Sequence, residues 1–262
     1  MTVPITPWSS RRLGHARAAA AAIAALYLAA GTAVAGPPFV TDDPEPTDLG
    51  KWENYAFVSG VHAPGDTDGL AGFDLNYGAA KDLQLTAIIP LDFENQSQLG
   101  LGGVEVAAKY RFLHQTQGTL TPDVSFFPGL IAPATRGPYF PAGPFVPNRI
   151  NLFLPIWAQK DWGGWSLFGG GGYDINPGRD NLNYWLTGVA LTREITKKLT
   201  LGAEIYHQTA QAISERSFTA VNAGVIYRLT DHWALLASGG PGVQNARQEG
   251  DYDFYVSLLA NY

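Results

Sequence analysis

From about residue 51 onward, apolar side chains recur at every second position in about a dozen short segments. The clearest sets Val104, Val106, Ala108, Tyr110 and Phe112 against Glu105, Ala107, Lys109 and Arg111. Side chains two apart share one face of a strand, so this segment predicts a strand with one apolar face and one wet, charged face. Ala71, Phe73, Leu75 and Tyr77 alternate in the same way with Gly72, Asp74, Asn76 and Gly78, and Val221, Ala223, Val225 and Tyr227 with Asn222, Gly224, Ile226 and Arg228. The phase is clear for Leu83, Leu85, Ala87 and Ile89 and for Leu201, Ala203 and Ile205, and ambiguous in residues 51 to 62. The final residues repeat the pattern with Phe254, Val256, Leu258, Ala260 and the terminal aromatic Tyr262, leaving Ser257 and Asn261 on the other face. An outward apolar face and an inward polar one are the signature of a transmembrane barrel strand.

After Ala35 no apolar run approaches the length of a membrane-crossing helix, and only helices and closed barrels satisfy their backbone in lipid. The expected fold is therefore all-β: a closed antiparallel transmembrane β-barrel of about 12 strands over residues 51–262. Tight connections near 78–82, 160–164, 194–198 and 229–232 alternate with longer ones near 92–102, 134–148, 175–183 and 241–251, as periplasmic turns alternate with outer loops. Trp52, Tyr77, Tyr110, Trp165, Tyr227, Trp233 and Tyr262 fall at or near the tight-turn ends, where an aromatic girdle would meet the membrane interface.

The start of the chain changes the compartment. Arg11, Arg12, His15 and Arg17 precede an apolar run from Ala18 to Ala30, and Ala33-Val34-Ala35 supplies small residues before Gly36. Residues 1–35 read as a cleaved export signal, with residues 36–50 a periplasmic lead-in, and the destination is the bacterial outer membrane. The leader holds three arginines and no acid, so the 17 basic residues of the whole chain fall to 14 against 23 acids, a net charge of −9. That balance argues against nucleic acid as a partner. The absence of cysteine excludes a disulfide framework and a thiolate metal site.

With the apolar phase facing lipid, the lumen is expected to carry Asp74, Asn76, Gln84, Thr86, Glu105, Lys109, Arg111, Glu204 and Arg228. Counting back from the turn at 78–82 sets Asp74 level with Thr86 and Asn76 level with Gln84, and Lys109 or Arg111 should reach Asp74 or Glu105. The lining would be of mixed charge; it reads equally as a channel or as filling that plugs the barrel. Gly72, Gly78, Gly188, Gly202, Gly224 and Gly240 leave room on the same face or ease strand bending. Pro128 and Pro155 fall roughly level on adjacent strands, and neither donates to the ladder. With Phe126, Phe127, Phe153 and Trp157 beside them they mark either a lateral exit seam for an apolar solute or a bulge without a transport role. The histidines His62, His114, His207 and His232 have no serine at a clear pairing position, so no catalytic residue is assigned, and no cluster has metal-ligand spacing in sequence.

The opening Gly36-Pro-Pro-Phe-Val-Thr-Asp-Asp-Pro-Glu-Pro46, followed by Gly50-Lys-Trp-Glu-Asn-Tyr55, resembles the start of a family of outer-membrane barrels assigned to the meta-pathway of phenol degradation. Gly102-Gly-Val-Glu-Val-Ala-Ala-Lys-Tyr-Arg-Phe112 and the alternating end are similar to further segments of that family, and the likeness runs through residues 36 to 262. The resemblance implies a twelve-stranded barrel related to the exporters of functional-amyloid subunits, with a transport role and no catalytic residues or cofactor. About fifteen residues before the first strand are too few for the coiled-coil and plug-helix extension of those exporters. The expected function is passive passage of small, aromatic or apolar molecules, with a lipid-modifying hydrolase and a purely structural barrel as the alternatives. Expected partners are outer-membrane lipid, the solute, and the barrel-assembly machinery acting through the strand that ends at Tyr262.

Overall fold

The computed structural model describes residues 38–94, 98–133 and 149–262. The predicted export signal, residues 95–97 of the loop predicted near 92–102, and the loop predicted near 134–148 lie outside the described residues. Fourteen strands form one sheet: β1 (Trp52–Ala63), β2 (Asp66–Ala80), β3 (Leu83–Glu94), β4 (Gln98–Leu101), β5 (Val104–Leu113), β6 (Asp123–Phe126), β7 (Gly129–Ala132), β8 (Asn151–Trp162), β9 (Trp165–Ile175), β10 (Tyr184–Thr196), β11 (Leu199–Gln208), β12 (Phe218–Arg228), β13 (Trp233–Gln244) and β14 (Tyr252–Asn261). A single helical turn, α1 (Ala246–Glu249), lies between β13 and β14.

β4 and β5 are one stave interrupted at Gly102-Gly103, since both pair with β3. β6 and β7 are another, interrupted at Phe127-Pro128, since both pair with β5 and β8. Fourteen segments thus make the twelve staves of a closed antiparallel barrel. Closure is made by β1 against β14, in register from Glu53 opposite Asn261 to His62 opposite Tyr252. The sheet has no open edge there, as a wall in lipid requires.

The barrel is inside out relative to a water-soluble protein. Phe73, Val106, Tyr110, Ile205 and Val256 stand on the exposed outer face, whereas Lys109, Glu204, Gln159 and Asp253 are buried on the inner one. The expected outward phase holds on every strand for which it was assigned. β1, ambiguous in sequence, turns Trp52 and Ala56 outward and buries Tyr55.

At one end the connections are the two-residue turns Lys81-Asp82, Gly163-Gly164 and Lys197-Lys198, plus 229–232 and the longer 114–122. Gly163 and Gly164 both have positive φ, 54° and 81°, the backbone that a two-residue hairpin turn of matching twist demands. Trp52 and Tyr77 pack here at 4.8 Å between ring centroids, and Arg193 lies 4.9 Å over the Trp165 ring. The longer connections are at the other end, with two departures from the expected alternation: β1 and β2 are joined there by Pro64-Gly65 alone, and most of the loop expected over 92–102 is strand, since β3 runs to Glu94 and pairs with β4 at Gln98–Leu101.

The β2–β3 hairpin corrects the expected register by two residues. Asn76 is opposite Thr86, Gly78 opposite Gln84 and Asp74 opposite Ile88, because the ladder shifts between Gly78 and Ala80 and Ala79 has no partner. The extra residue is a β-bulge, which sequence alternation does not reveal.

A charge on the lipid face should be far costlier than a change on the lumen face two atoms of backbone away. Val256→Lys, at the middle of β14, is expected to lose about 2–4 kcal/mol of folding stability in lipid vesicles, and Val256→Leu almost none; denaturant unfolding followed by gel mobility measures both.

Candidate lumen site

Pro38 to Leu49 run inside the barrel as a strap, with Pro38, Thr41, Asp43 and Pro44 fully buried. Three prolines, Pro38, Pro44 and Pro46, give this segment no strand of its own, so its backbone groups must find partners on the wall. Glu204 on β11 supplies the first anchor: its two carboxylate oxygens accept the N–H groups of Val40 (3.0 Å) and Thr41 (2.9 Å), and Oε1 also accepts from Asn222 (3.0 Å). The Ser238 hydroxyl donates to the Pro38 carbonyl.

On the opposite wall the Lys109 ammonium on β5 pairs with Asp42 at 3.0 Å and lies 4.8 Å over the Phe127 ring. Gln84 Oε1 accepts from the Thr47 N–H (2.7 Å) and hydroxyl (2.9 Å), while its amide donates to Asn76 and Thr86. Gln159 donates to Glu45 at 3.3 Å. The strap is finally tied to the end of β2 by Gly50 N–H to the Gly78 carbonyl (2.7 Å) and Gly78 N–H to the Lys51 carbonyl (3.0 Å).

Four of the inward glycines make room for this strap. A Cβ on Gly224 would stand 2.6 Å from the Phe39 ring, one on Gly202 2.9 Å from it, one on Gly188 2.1 Å from the Thr41 hydroxyl, and one on Gly78 1.9 Å from the Asp48 carbonyl. Gly72 and Gly240 instead meet the backbone carbonyls of Ile89 and Val221 on neighbouring strands.

The predicted lining residues therefore separate into three zones. Asn76, Gln84, Thr86, Lys109 and Glu204 are buried against the strap. Arg111 sits at the tight-turn rim, 3.1 Å from Asp82 and 3.7 Å from Asp123, with His114 3.2 Å from Asp82. Burial pushes the Asp82 carboxyl up, but the Arg111 hydrogen bond and the His114 and Arg111 charges outweigh it and hold it below the usual range. Arg228 donates to the Lys197 carbonyl at the same rim (3.1 Å). The expected pairing of Lys109 or Arg111 with Asp74 or Glu105 is thus replaced by Asp42 of the strap, Asp82 of the β2–β3 turn and Asp123 at the start of the neighbouring strand β6.

Asp74 and Glu105 lie on the other side of the strap, in a cavity of about 480 Å³ toward the longer loops. Phe39 of the strap faces it, and Phe57, Leu70, Ile88, Pro90, Asp92 and Tyr255 are among its walls. Sequence reasoning did not assign Asp92, Tyr184 or Tyr255 to the lumen, although their phase on β3, β10 and β14 was available.

At the proline seam Phe127 N–H donates to the Pro155 carbonyl (3.1 Å), and Ala108 N–H to the Pro128 carbonyl (3.1 Å), so Pro155 stands beside Phe127 and one residue out of register with Pro128. Pro155 faces Gly172 of a four-glycine run, Gly169–Gly172, on its other side. Trp157 is buried on the inner face with Phe153, and Phe126 is exposed on the outer face. Among the described residues, two carboxylate triads have oxygens within 4.8 Å: Glu45, Asp123 and Asp161 beside the strap, and Asp66, Asp68 and Glu94 at the loop end. The first already accepts from Gln115, Gln159 and Ser166 and faces Arg111, which satisfies it without an ion. None of these six positions is close in sequence to all its partners, which is why spacing did not flag them.

Burial is the largest influence on Asp43 and Glu45, pushing them up to about 7 and about 8; neighbouring carboxylates add to it, and Lys109 and Arg111 respectively oppose it. A raised carboxyl binds its proton more tightly in the seated strap than in a released one. Seating is therefore strongest below about pH 4, where both states are protonated, and weakens as pH rises through 7 and 8. Protease cleavage within residues 38–47 is expected to quicken between pH 5 and pH 9. Glu204→Ala removes two charge-assisted bonds worth about 1.5–3 kcal/mol each and is expected to raise cleavage at neutral pH by roughly two to four orders of magnitude, read by mass spectrometry of the released peptide.

Two solved structures share this architecture. The COG4313 outer membrane channel from Pseudomonas putida F1 superposes with a TM-score of 0.64 at 14% identity, covering 84% of this chain and 98% of that one. The NanC porin superposes with a TM-score of 0.53 at 11% identity, covering 80% and 98%. No curated protein matches the chain in sequence. The family model described as "Putative MetA-pathway of phenol degradation" matches residues 32–252, which takes in the strap, its glycine seats and thirteen of the fourteen strands in full. The chain belongs to that family and has the fold of a bacterial outer-membrane β-barrel.

Proposed function

We propose that the barrel is a passive outer-membrane conduit for small aromatic or otherwise apolar molecules, with the strap as its internal gate. The observation that carries this reading is the way the strap is held. It crosses the lumen on side-chain bonds to Glu204, Lys109, Gln84 and Gln159, with ladder-like contacts only at Leu49 and Gly50, so it can leave without unzipping a strand. Beyond it lies a cavity walled by phenylalanine, tyrosine, leucine, isoleucine and proline, large enough for a small organic solute. The family description, which names phenol degradation, and the channel and porin among the similar structures support the same reading.

In this reading the tight turns and both strand ends near Trp52 and Tyr262 face the periplasm, and the longer loops face outward. Residues 1–35 are the export signal, and the strand ending at Tyr262 is presented to the assembly machinery. The Pro128/Pro155 seam, flanked by the Gly169–Gly172 run, is the place where the wall would part for a solute to leave sideways. The barrel is read as carrying no enzymatic activity and needing no metal or cofactor. Among the described residues, His62 and His207 bond to Thr67 and Thr219, His114 to Asp82 and His232 to the Asn261 carbonyl, none of them to a serine.

Single-channel recording of the refolded protein in planar bilayers tests the reading. Small steps are expected from the native protein, several-fold larger steps from Glu204→Ala, and altered ion preference from Lys109→Ala and Asp74→Ala. A silent bilayer for all four, or release of acyl chains from phospholipid or lipopolysaccharide, would sink it.

A further inference from the structure

The cavity beyond the strap has a chemical bias that the passage reading does not require. Asp74, Asp92 and Glu105 line it, and among its described lining residues there is no lysine, arginine or histidine. The two cations nearest along the wall are committed elsewhere, Lys109 to Asp42 and Arg111 to Asp82 and Asp123. Asn151, nine-tenths buried in the same lining, donates through Nδ2 to Asn176 (3.0 Å), and its Oδ1 has no donor. Just behind the lining, the fully buried Asp174 accepts from Tyr184 at 3.2 Å through one oxygen and has no donor for the other. Asp74 accepts from the Asn76 amide (2.9 Å), and the rest of the polar lining is rich in acceptors and short of donors. Its apolar part includes the stacked rings of Phe57 and Tyr255, 6.0 Å apart and tilted by only 15°.

We propose that this cavity is a binding site for amphiphilic organic cations: small apolar or aromatic molecules carrying an ammonium group. The ammonium lies among Asp74, Asp92 and Glu105, and the apolar body lies against Phe57, Tyr255 and the strap's Phe39. The inference rests on the passage reading and narrows its solute class. Asp74 and Glu105 in an apolar chamber cost desolvation that a neutral solute does nothing to offset, and they repel an anion. A cation offsets that cost, and aromatic faces add attraction for it. The strap reinforces the bias, because it draws the lumen's lysine to the periplasmic side and leaves the outer side acidic.

Native protein and Glu204→Ala in planar bilayers at neutral pH provide the test, with potassium chloride, benzylammonium chloride and sodium benzenesulfonate. The two organic ions carry the same ring and, at that pH, charges of opposite sign, and the cation has N–H groups for the acceptors that lack donors. The expected result is that benzylammonium carries current, or blocks the potassium current, at concentrations roughly tenfold or more below any effect of benzenesulfonate. In Asp74→Asn/Glu105→Gln, shown to be folded by its gel mobility, that preference should fall toward one. The comparison of the two ions on the native protein stands even if the double variant does not fold. Equal passage of both organic ions overturns the cation site and leaves passive passage intact, as does potassium current with neither passage nor block by the organic cation. No current in any salt from either protein overturns the passage reading, and the site with it.

Discussion

Closure of the sheet by β1 against β14 is the interaction on which everything else depends. A wall in hydrocarbon has no water to receive an unpaired N–H or carbonyl, so the ladder must run unbroken around the barrel. Once it does, the pleat assigns every second residue to lipid and the rest to the lumen. The outer face is then held to apolar residues, while the inner face is free to carry the polar groups that a soluble protein would put on its surface. The buried glutamate, lysine, glutamines and asparagines of this barrel follow from that division.

A polar interior creates its own demand. Glu204, Gln84 and Lys109 are removed from bulk water and must be satisfied by something in the lumen. The strap answers with backbone N–H groups for Glu204 and Gln84 and with the Asp42 carboxylate for Lys109. The dependence is mutual, since a proline-rich segment has no ladder of its own and needs those acceptors. The glycines at 78, 188, 202 and 224 set the depth of seating, because each would otherwise place a side-chain carbon within 3 Å of strap atoms. The carboxylates that the strap itself buries, Asp43 and Glu45, make the seat proton-dependent in the sense opposite to an ordinary salt bridge: ionisation loosens it.

The fold was legible in the sequence for the reason that lipid makes it so. An outward phase such as Val104, Val106, Ala108, Tyr110 and Phe112 is enforced by a uniform apolar solvent, and it survives locally without knowledge of neighbours. Register across strands did not survive as well. The bulge at Ala79 displaced Asp74 and Asn76 by two positions relative to Thr86 and Gln84, and nothing in the alternation marks it. β1 was opaque because Phe57, an aromatic, faces the lumen rather than lipid. The inward residues were identifiable as a set, but their partners were not: Lys109 finds its carboxylate on the strap, 67 positions away, and the lead-in carries no periodicity to announce that it folds inward.

The position of the strap, more than the composition of the wall, decides the character of the lumen. Among the lumen residues assigned from sequence, Asp74, Glu105, Lys109, Arg111, Glu204 and Arg228 are evenly mixed in sign, which is why the sequence suggests an unselective lining. The strap breaks that mixture by pairing with Lys109 and closing the lumen beside it, while Arg111 and Arg228 turn to the rim. What remains on the loop side is acidic and aromatic. Screening by salt reaches about 10 Å at 0.1 M, but only where water and ions enter freely, so charges in a narrow apolar chamber act on a solute more strongly than the same charges at a surface. On the proposed reading of the strap as a gate, a seated strap and a released one would present a solute with two different fields, because release frees Lys109 and Glu204 into the same lumen.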